Sequence, residues 1–270
     1  MELWEALLLG LVEGLTEYLP VSSTGHLLVT QRLLGIESGE AANAFAIVIQ
    51  AGAIVAVLGL YRSRVFAMLR GLVGRDPEGL KLALALVAAF LPAAAAGLLL
   101  GDAIKGVLFG TWPVVIAWVV GGVLLVAFGG RLRKVEGGGL ETLDWKRAVI
   151  VGLFQCLALW PGTSRSLAAI VGGVVVGLSL PAAVELSFLL GLLTLGAATA
   201  YESLQSGSVM LDAYGAAPLA VGFAAAWVSA VLAVRFMVRS LQKYGLAIYG
   251  WWRIAIGVAV GAWMLSGASL

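Results

Sequence analysis

The chain has 270 residues, 61% of them hydrophobic and 12% charged, with a mean hydropathy of +1.02. That balance excludes a soluble globule, and a formal net charge of +2 excludes the electrostatic footprint of a nucleic-acid binder. A single cysteine, Cys156, and a single histidine, His26, exclude an internal disulfide and any Cys-based or multi-His metal centre. The remaining class is an all-α polytopic membrane protein, and 36 glycines fit helices packed closely in lipid.

The chain starts Met-Glu-Leu-Trp-Glu, without the basic region of a secretory signal, so no cleaved segment is expected. The first apolar stretch, 5–34, is interrupted at Leu19-Pro20-Val21-Ser22-Ser23. Six stretches are then long and apolar enough to span a bilayer: 44–61, 82–100, 112–130, 182–201, 216–234 and 245–267. Between the third and fourth lies a second interrupted stretch, 147–178, broken at Trp160-Pro161-Gly162-Thr163-Ser164-Arg165-Ser166. Each half of an interrupted stretch is too short to cross at 1.5 Å per residue. Both are therefore expected to be re-entrant helical hairpins, whose broken backbone must be buried in protein or line a cavity.

Loop charges support this count. Thirteen of the 17 basic residues fall in three loops: Arg62, Arg64, Arg70, Arg75 and Lys81; Arg131, Arg133, Lys134, Lys146 and Arg147; and Arg235, Arg239 and Lys243. The alternate loops carry Glu37 and Glu40, Asp102 with Lys105, and Glu202 with Asp212. The positive-inside rule makes the basic loops cytoplasmic and both termini external. The assignment closes only if 5–34 enters and leaves on the outer side and 147–178 on the inner side. Each half, 1–130 and 147–270, then has one hairpin and three spans, joined by a basic linker at 131–146; an odd number of spans inverts the second copy. Gly10-Leu-Val-Glu13 parallels Gly152-Leu-Phe-Gln155, and Pro20-Val-Ser22-Ser23 parallels Pro161-Gly-Thr163-Ser164, about 141–142 residues later. Inverted repeats with broken helices place their polar site where the breaks meet.

The first break holds Glu13 and Glu17, four apart on one helix face. In an apolar setting they repel unless a cation or protons intervene, and two carboxylates suit Mg²⁺ or Ca²⁺ with water and phosphate as further ligands. Pro20 ends the first half-helix and Ser22 or Ser23 can cap the second, whose N-terminus would face an anion. Ser23 and His26 lie three apart, so a hydroxyl nucleophile with an imidazole acid or base is one reading; a metal-activated water is the other. In the second break Arg165 is the only cation, flanked by the hydroxyls of Thr163, Ser164 and Ser166, and its planar fork matches phosphate oxygens. Gln50 in the first span is placed to donate into the same cavity or to bond between helices. Arg253 reads as a snorkelling or packing residue, and Glu185 as a first-turn helix residue.

These motifs resemble the bacitracin-resistance family of undecaprenyl-diphosphate phosphatases. That family carries Glu/Gln-x-x-x-Glu followed by Leu-Pro-Val-Ser-Ser-Thr-Gly-His, found here from Glu13 to Glu17 and from Leu19 to His26, and Pro-Gly-x-Ser-Arg-Ser, found from Pro161 to Ser166. Weaker similarity runs through Phe45 to Gln50, Leu91-Pro92, Ser187 and the last span. The resemblance implies an inverted-repeat integral protein of the bacterial cytoplasmic membrane, with a site open to the periplasm, dependence on a divalent cation, and dimers. Its implied reaction removes the terminal phosphate of a C55 polyprenyl diphosphate, which recycles the lipid carrier for peptidoglycan and other envelope polymers. Carried over by position, Glu17, Ser23, His26 and Arg165 form the catalytic core; Glu13 joins Glu17 at the metal, and Ser22, Thr24, Ser164 and Ser166 support metal or phosphate binding. The chain departs from the family at Leu167 and Ala169, where a glycine and a threonine are usual, at Ala46, often acidic, and at Leu193, usually proline. The rival class is a transporter that flips a polyprenyl phosphate around the same site; it would need the charges but no nucleophilic hydroxyl.

Overall fold

A computed structural model describes residues 1–37, 39–108, 110–132 and 135–267. Eleven α-helices are described: α1 (Leu3–Thr16), α2 (Ser23–Leu33), α3 (Glu40–Leu60), α4 (Arg62–Leu72), α5 (Pro77–Leu108), α6 (Thr111–Leu132), α7 (Trp145–Cys156), α8 (Arg165–Val175), α9 (Leu180–Tyr214), α10 (Ala216–Tyr244) and α11 (Ala247–Leu265). Among the described residues there is no strand, only an isolated bridge between Gly138 and Leu178. Six helices, α3, α5, α6, α9, α10 and α11, are long and apolar enough to cross a membrane, matching the six expected spans. This is a multi-pass helical membrane protein.

Both interrupted stretches turn back on themselves. Ala6 and Leu9 of α1 share a core cluster with Leu27 of α2, and Leu34 packs on it, so this pair leaves the bundle at the end where it entered. The second pair is closed by backbone: Gly138 N donates to Gly177 O at 3.0 Å and Ser179 N to Gly138 O at 2.9 Å, which joins the residues before α7 to those after α8. Asp144 caps α7 by accepting from Arg147 N at 2.8 Å. That amide also holds the exposed Asp144 carboxyl below its ordinary range.

The hairpins are held by glycine contacts across the halves. α1 lies on α10, where a Cβ at Gly10 would meet Ala225 Cβ at 2.8 Å and one at Gly14 would meet Ala230 N at 2.8 Å. α7 lies on α5, where a Cβ at Gly152 would meet the Pro92 ring at 2.8 Å. Pro92 has no N–H to offer the preceding turn. Gln155 Nε2 donates to Ala89 O in that turn at 3.0 Å.

Several expectations need correction. The first basic loop contains a helix, α4, whose Phe66, Leu69 and Leu72 are exposed while its backbone packs on α5 at Gly71 and Gly79. Positions 102 and 105 lie within α5, not in a loop. α9 and α10 outrun their expected spans and carry Glu202, Asp212, Arg235, Arg239 and Lys243 as helix residues, because no proline interrupts either flank and the helix ends only at Gly215 and Gly245. Glu185 sits in the second turn of α9, where it pairs with Arg64 Nε at 2.8 Å. Arg133 and Lys134 lie outside the described residues.

The basic segments nevertheless gather at one end of the bundle. Arg64 reaches Glu185, Lys81 Nζ donates to Glu141 O at 2.5 Å, and Tyr61 shares a pocket with Pro181, Val238 and Leu241. The start of α1 and the end of α11 lie at the other end, with Phe45, Met210 and Tyr214 and with Val29 and Val114 respectively.

Candidate active site

The two breaks meet inside the bundle. Arg165 Nη2 pairs with Glu17 Oε1 at 3.1 Å, and Nη1 donates to Ser187 O at 3.0 Å. Ser23 Oγ donates to the other Glu17 oxygen, so one carboxylate bridges the arginine of the second break and the hydroxyl of the first. Ser166 Oγ donates to Leu19 O at 3.0 Å, a further link between breaks. A polar cavity of about 90 Å³ opens beside these groups, lined by Glu17, Ser22, Ser23 and Thr24 from the first break and by Trp160, Ser164 and Arg165 from the second. Gln50 of α3 and Leu195 of α9 close it.

The backbone of both breaks is strained at matching points. Ser22 (φ 72°) and Ser164 (φ 77°) are the only non-glycine residues at positive φ among the described residues, and each immediately precedes a helix that reaches the cavity. Side chains held in such conformations cost about 1–3 kcal/mol and gather at functional sites. The expected serine cap of α2 does not form: the Ser22 side chain makes no capping bond, and its carbonyl instead accepts from His26 N at 3.3 Å. On α8 the cap does form, with Leu167 N donating to Ser164 Oγ at 3.3 Å.

Not every expected residue faces the cavity. The His26 ring lies against Trp118, with Nδ1 2.7 Å from Ser22 O and Nε2 accepting from Trp252 Nε1 at 3.0 Å. Both ring nitrogens are engaged, and the hydrogen bonds define a neutral tautomer with the proton on Nδ1. Ser166 is fully buried and committed to Leu19 and Ser164. Thr163 offers its carbonyl to Arg253. Glu13 is fully buried one turn before Glu17, and neither of its carboxylate oxygens has a hydrogen-bond partner.

That orphaned carboxylate bears on the expected cation. No group of three His, Cys, Asp or Glu forms among the described residues. Glu13 and Glu17 do form an oxygen pair on one face, and a buried carboxylate without a donor needs a cation or a proton. Two carboxylates, with water and phosphate oxygens completing the shell, fit Mg²⁺ or Ca²⁺.

Five residues that position the site were not assigned to it from the sequence. Arg253 of α11, expected to snorkel or to pack, packs: it is fully buried and donates to Pro20 O (3.3 Å), Thr163 O (2.9 Å), Gly162 O (2.9 Å), Ala117 O (2.7 Å) and Trp118 O (3.5 Å). It ties both breaks to α6, and Gly121 makes room for it, since a Cβ there would meet its Cζ at 2.9 Å. Tyr18 lies under the Arg165 guanidinium, 5.8 Å from ring centroid to Cζ. Gly191 leaves space for the same group, 2.9 Å from where its Cβ would stand. Trp252 holds His26. Only the arginine and the small residues carried any sequence signal, namely a charge and two glycines in apolar helices.

The fold and site define a polytopic helical membrane protein with a buried acid–arginine–hydroxyl centre. The family model described as "Bacitracin resistance protein BacA" matches residues 6–259, and the chain belongs to that family. It is 49% identical over 261 residues to a Sorangium cellulosum protein named undecaprenyl-diphosphatase, covering 95% of this chain and 85% of that one. Similar matches are undecaprenyl-diphosphatase 1 of Chromobacterium violaceum (45%; 97% and 96% covered) and undecaprenyl-diphosphatase of Methylococcus capsulatus (44%; 94% and 92% covered).

Proposed function

We propose that the protein hydrolyses undecaprenyl diphosphate to the monophosphate and phosphate, with the reaction centred on Glu17, Ser23 and Arg165. One observation carries the reading: Glu17 accepts from Ser23 with one oxygen and pairs with Arg165 through the other, at a cavity of membrane-buried polar groups. The relatives' names point to the same reaction.

Arg165 turns from Glu17 to the phosphate oxygens of the bound diphosphate, since its guanidinium fork can hold two of them and offset the charge of the transferred phosphoryl group. Ser23 Oγ attacks the terminal phosphorus as its proton passes to Glu17. The bridging P–O bond breaks and prenyl monophosphate leaves with the proton held by Glu17; the freed carboxylate then deprotonates a water that attacks the phosphorus, and the Ser23–phosphorus bond breaks to release phosphate as Ser23 Oγ takes that proton back. Glu17 takes this role in preference to His26, whose ring nitrogens are both engaged; His26 instead holds the Ser22 carbonyl and with it the strained turn. Ser22, Thr24, Ser164 and Gln50 supply further donors around the phosphates. A divalent cation held by Glu13 and Glu17 would supply charge neutralisation for the diphosphate.

The same reading places the protein in the bacterial cytoplasmic membrane as an inverted repeat. The clustered basic segments face the cytoplasm, both termini face the periplasm, and the cavity admits lipid from the periplasmic side. A lipid flippase is not favoured, because transport has no use for a hydroxyl aimed at a carboxylate.

The test is phosphate release from undecaprenyl diphosphate by the purified protein in detergent, with and without EDTA. Wild type should release phosphate, and Ser23→Ala should lose about 100-fold or more. No release by the wild type would defeat the assignment. Full turnover by Ser23→Ala would transfer the attack to water.

A further inference from the structure

Beside the polar cavity lies a second, apolar one of about 550 Å³ on the lipid-facing side of α6, α7 and α8. Val120, Leu124 and Phe128 of α6 form one wall, Phe154 of α7 and Leu157 just after it the other, and Ala168 of α8 lies in its floor. Trp160 belongs to both cavities, and its Nε1 donates to Pro113 O at 3.0 Å, which pins the indole to α6 where the two spaces adjoin. We propose that this groove holds the polyprenyl tail of the substrate while the diphosphate occupies the polar cavity. The proposal rests on the phosphatase reading above.

Chemistry, continuity and direction support that occupant. Arg253 also borders the groove, but its guanidinium is spent on five backbone carbonyls, so nothing charged is offered to a ligand there. A hydrocarbon is the only ligand class such walls reward. The groove starts at Ala117, whose carbonyl is tied by Arg253 to Gly162 of the second break, and runs along α6 to Leu132. That is about 22 Å of helix at 1.5 Å per residue, against a hydrocarbon half-thickness of about 15 Å. An ordinary phospholipid keeps its head at the membrane interface, whereas the polar end of this groove is at the breaks, inside the bundle. Only a lipid whose head enters the break uses both spaces.

The direction adds a constraint. Leu132 lies next to Arg131 at the end where the basic segments gather. A lipid with its head at the breaks and its tail along this groove points its tail toward that end. It has the orientation of a lipid delivered from the opposite leaflet, so the groove selects for that leaflet as well as for chain length.

The experiment uses a long-chain polyprenyl monophosphate carrying a diazirine in its tail, photolysed with the intact protein in vesicles. Adducts should concentrate in residues 120–128 and 154–168 and disappear under excess unlabelled polyprenyl monophosphate. In parallel, Leu124→Trp should fill the groove; the side chain is 52% exposed, so the larger indole meets no core. It should lower the ratio of kcat/KM on undecaprenyl diphosphate to that on farnesyl diphosphate by about tenfold or more. Val123→Trp, equally exposed on α6 but outside the groove, should leave that ratio unchanged. Adducts spread evenly over lipid-facing helices, adducts not displaced by the competitor, or an unchanged ratio in Leu124→Trp would overturn the groove. Displaceable adducts in the groove of a protein that releases phosphate from no prenyl diphosphate would support the groove and overturn the phosphatase.

Discussion

Arg253→Met is the most revealing substitution, because it keeps the length and the apolar stem but removes every donor. Three of the carbonyls that Arg253 satisfies, Pro20, Gly162 and Thr163, belong to the two breaks, where no helix supplies another donor. The other two, Ala117 and Trp118, lie inside α6 and keep their helical bonds. Leaving a buried acceptor unpaired costs about 1–3 kcal/mol. The three break carbonyls together then amount to about 3–9 kcal/mol, a large share of the stability of most folded proteins, about 5–15 kcal/mol. The expected result is a steep loss of monodisperse protein after heating in detergent, and loss of phosphate release from whatever remains folded. Arg253→Lys, with a single three-donor ammonium, should fall between the two. Cys156 reports on the same event: it ends α7 just before the second break, so loosening that break should speed its alkylation at temperatures where the wild type is protected. If Arg253→Met melts and turns over like the wild type, the staple has no role.

Three further outcomes are expected. Glu17→Gln and Arg165→Met should each reduce phosphate release by about 100-fold or more, and because they share one ion pair their combined effect should fall short of the product by about 0.5–3 kcal/mol. Strict additivity would mean that the two act separately. Glu13→Gln should raise the Mg²⁺ concentration needed for half-maximal activity by about tenfold or more while the melting temperature stays level or rises, since the change removes a cation ligand but puts a neutral amide of the same size in place of a buried carboxyl with no donor. An unaltered Mg²⁺ requirement would exclude Glu13 from the cation's ligands. Gly14→Val should lower the yield of folded protein and cost about 1–3 kcal/mol, because its Cβ would meet Ala226 and Ser229 as well as Ala230 on α10, whereas Gly59→Ala, which faces open space, should be silent.

Much of the architecture was legible because lipid imposes a simple code. Six windows of uninterrupted hydrocarbon identify six spans, though the ends of α9 and α10 lie well beyond them, and the excess of Arg and Lys in alternate segments puts those segments at one end of the bundle. The two interrupted stretches stood out for the same reason, since no polar residue enters hydrocarbon without a compensating role. Helix ends were less legible: a helix continues until a breaker stops it whether or not it lies in lipid, so α4 and the extensions of α9 and α10 carried no hydropathy signal.

What the chain alone determined was which side chains are costly in lipid. Glu13, Glu17, Ser23 and Arg165 are polar where only apolar residues are cheap, and that cost is visible without coordinates. Partnership was decided only by the tertiary structure. Glu17 and Arg165 are 148 residues apart, and local spacing pointed to His26 as the partner of Ser23, yet the hydroxyl meets Glu17 while Trp252 and Ser22 take up the imidazole. Arg253 shows the same limit. Its apolar sequence neighbours leave snorkelling and packing equally open, but its donors are consumed by five carbonyls brought together from both breaks and α6. Hydrogen bonds are short-ranged and directional, so their partners depend on where distant segments are packed, a property that composition and periodicity do not encode.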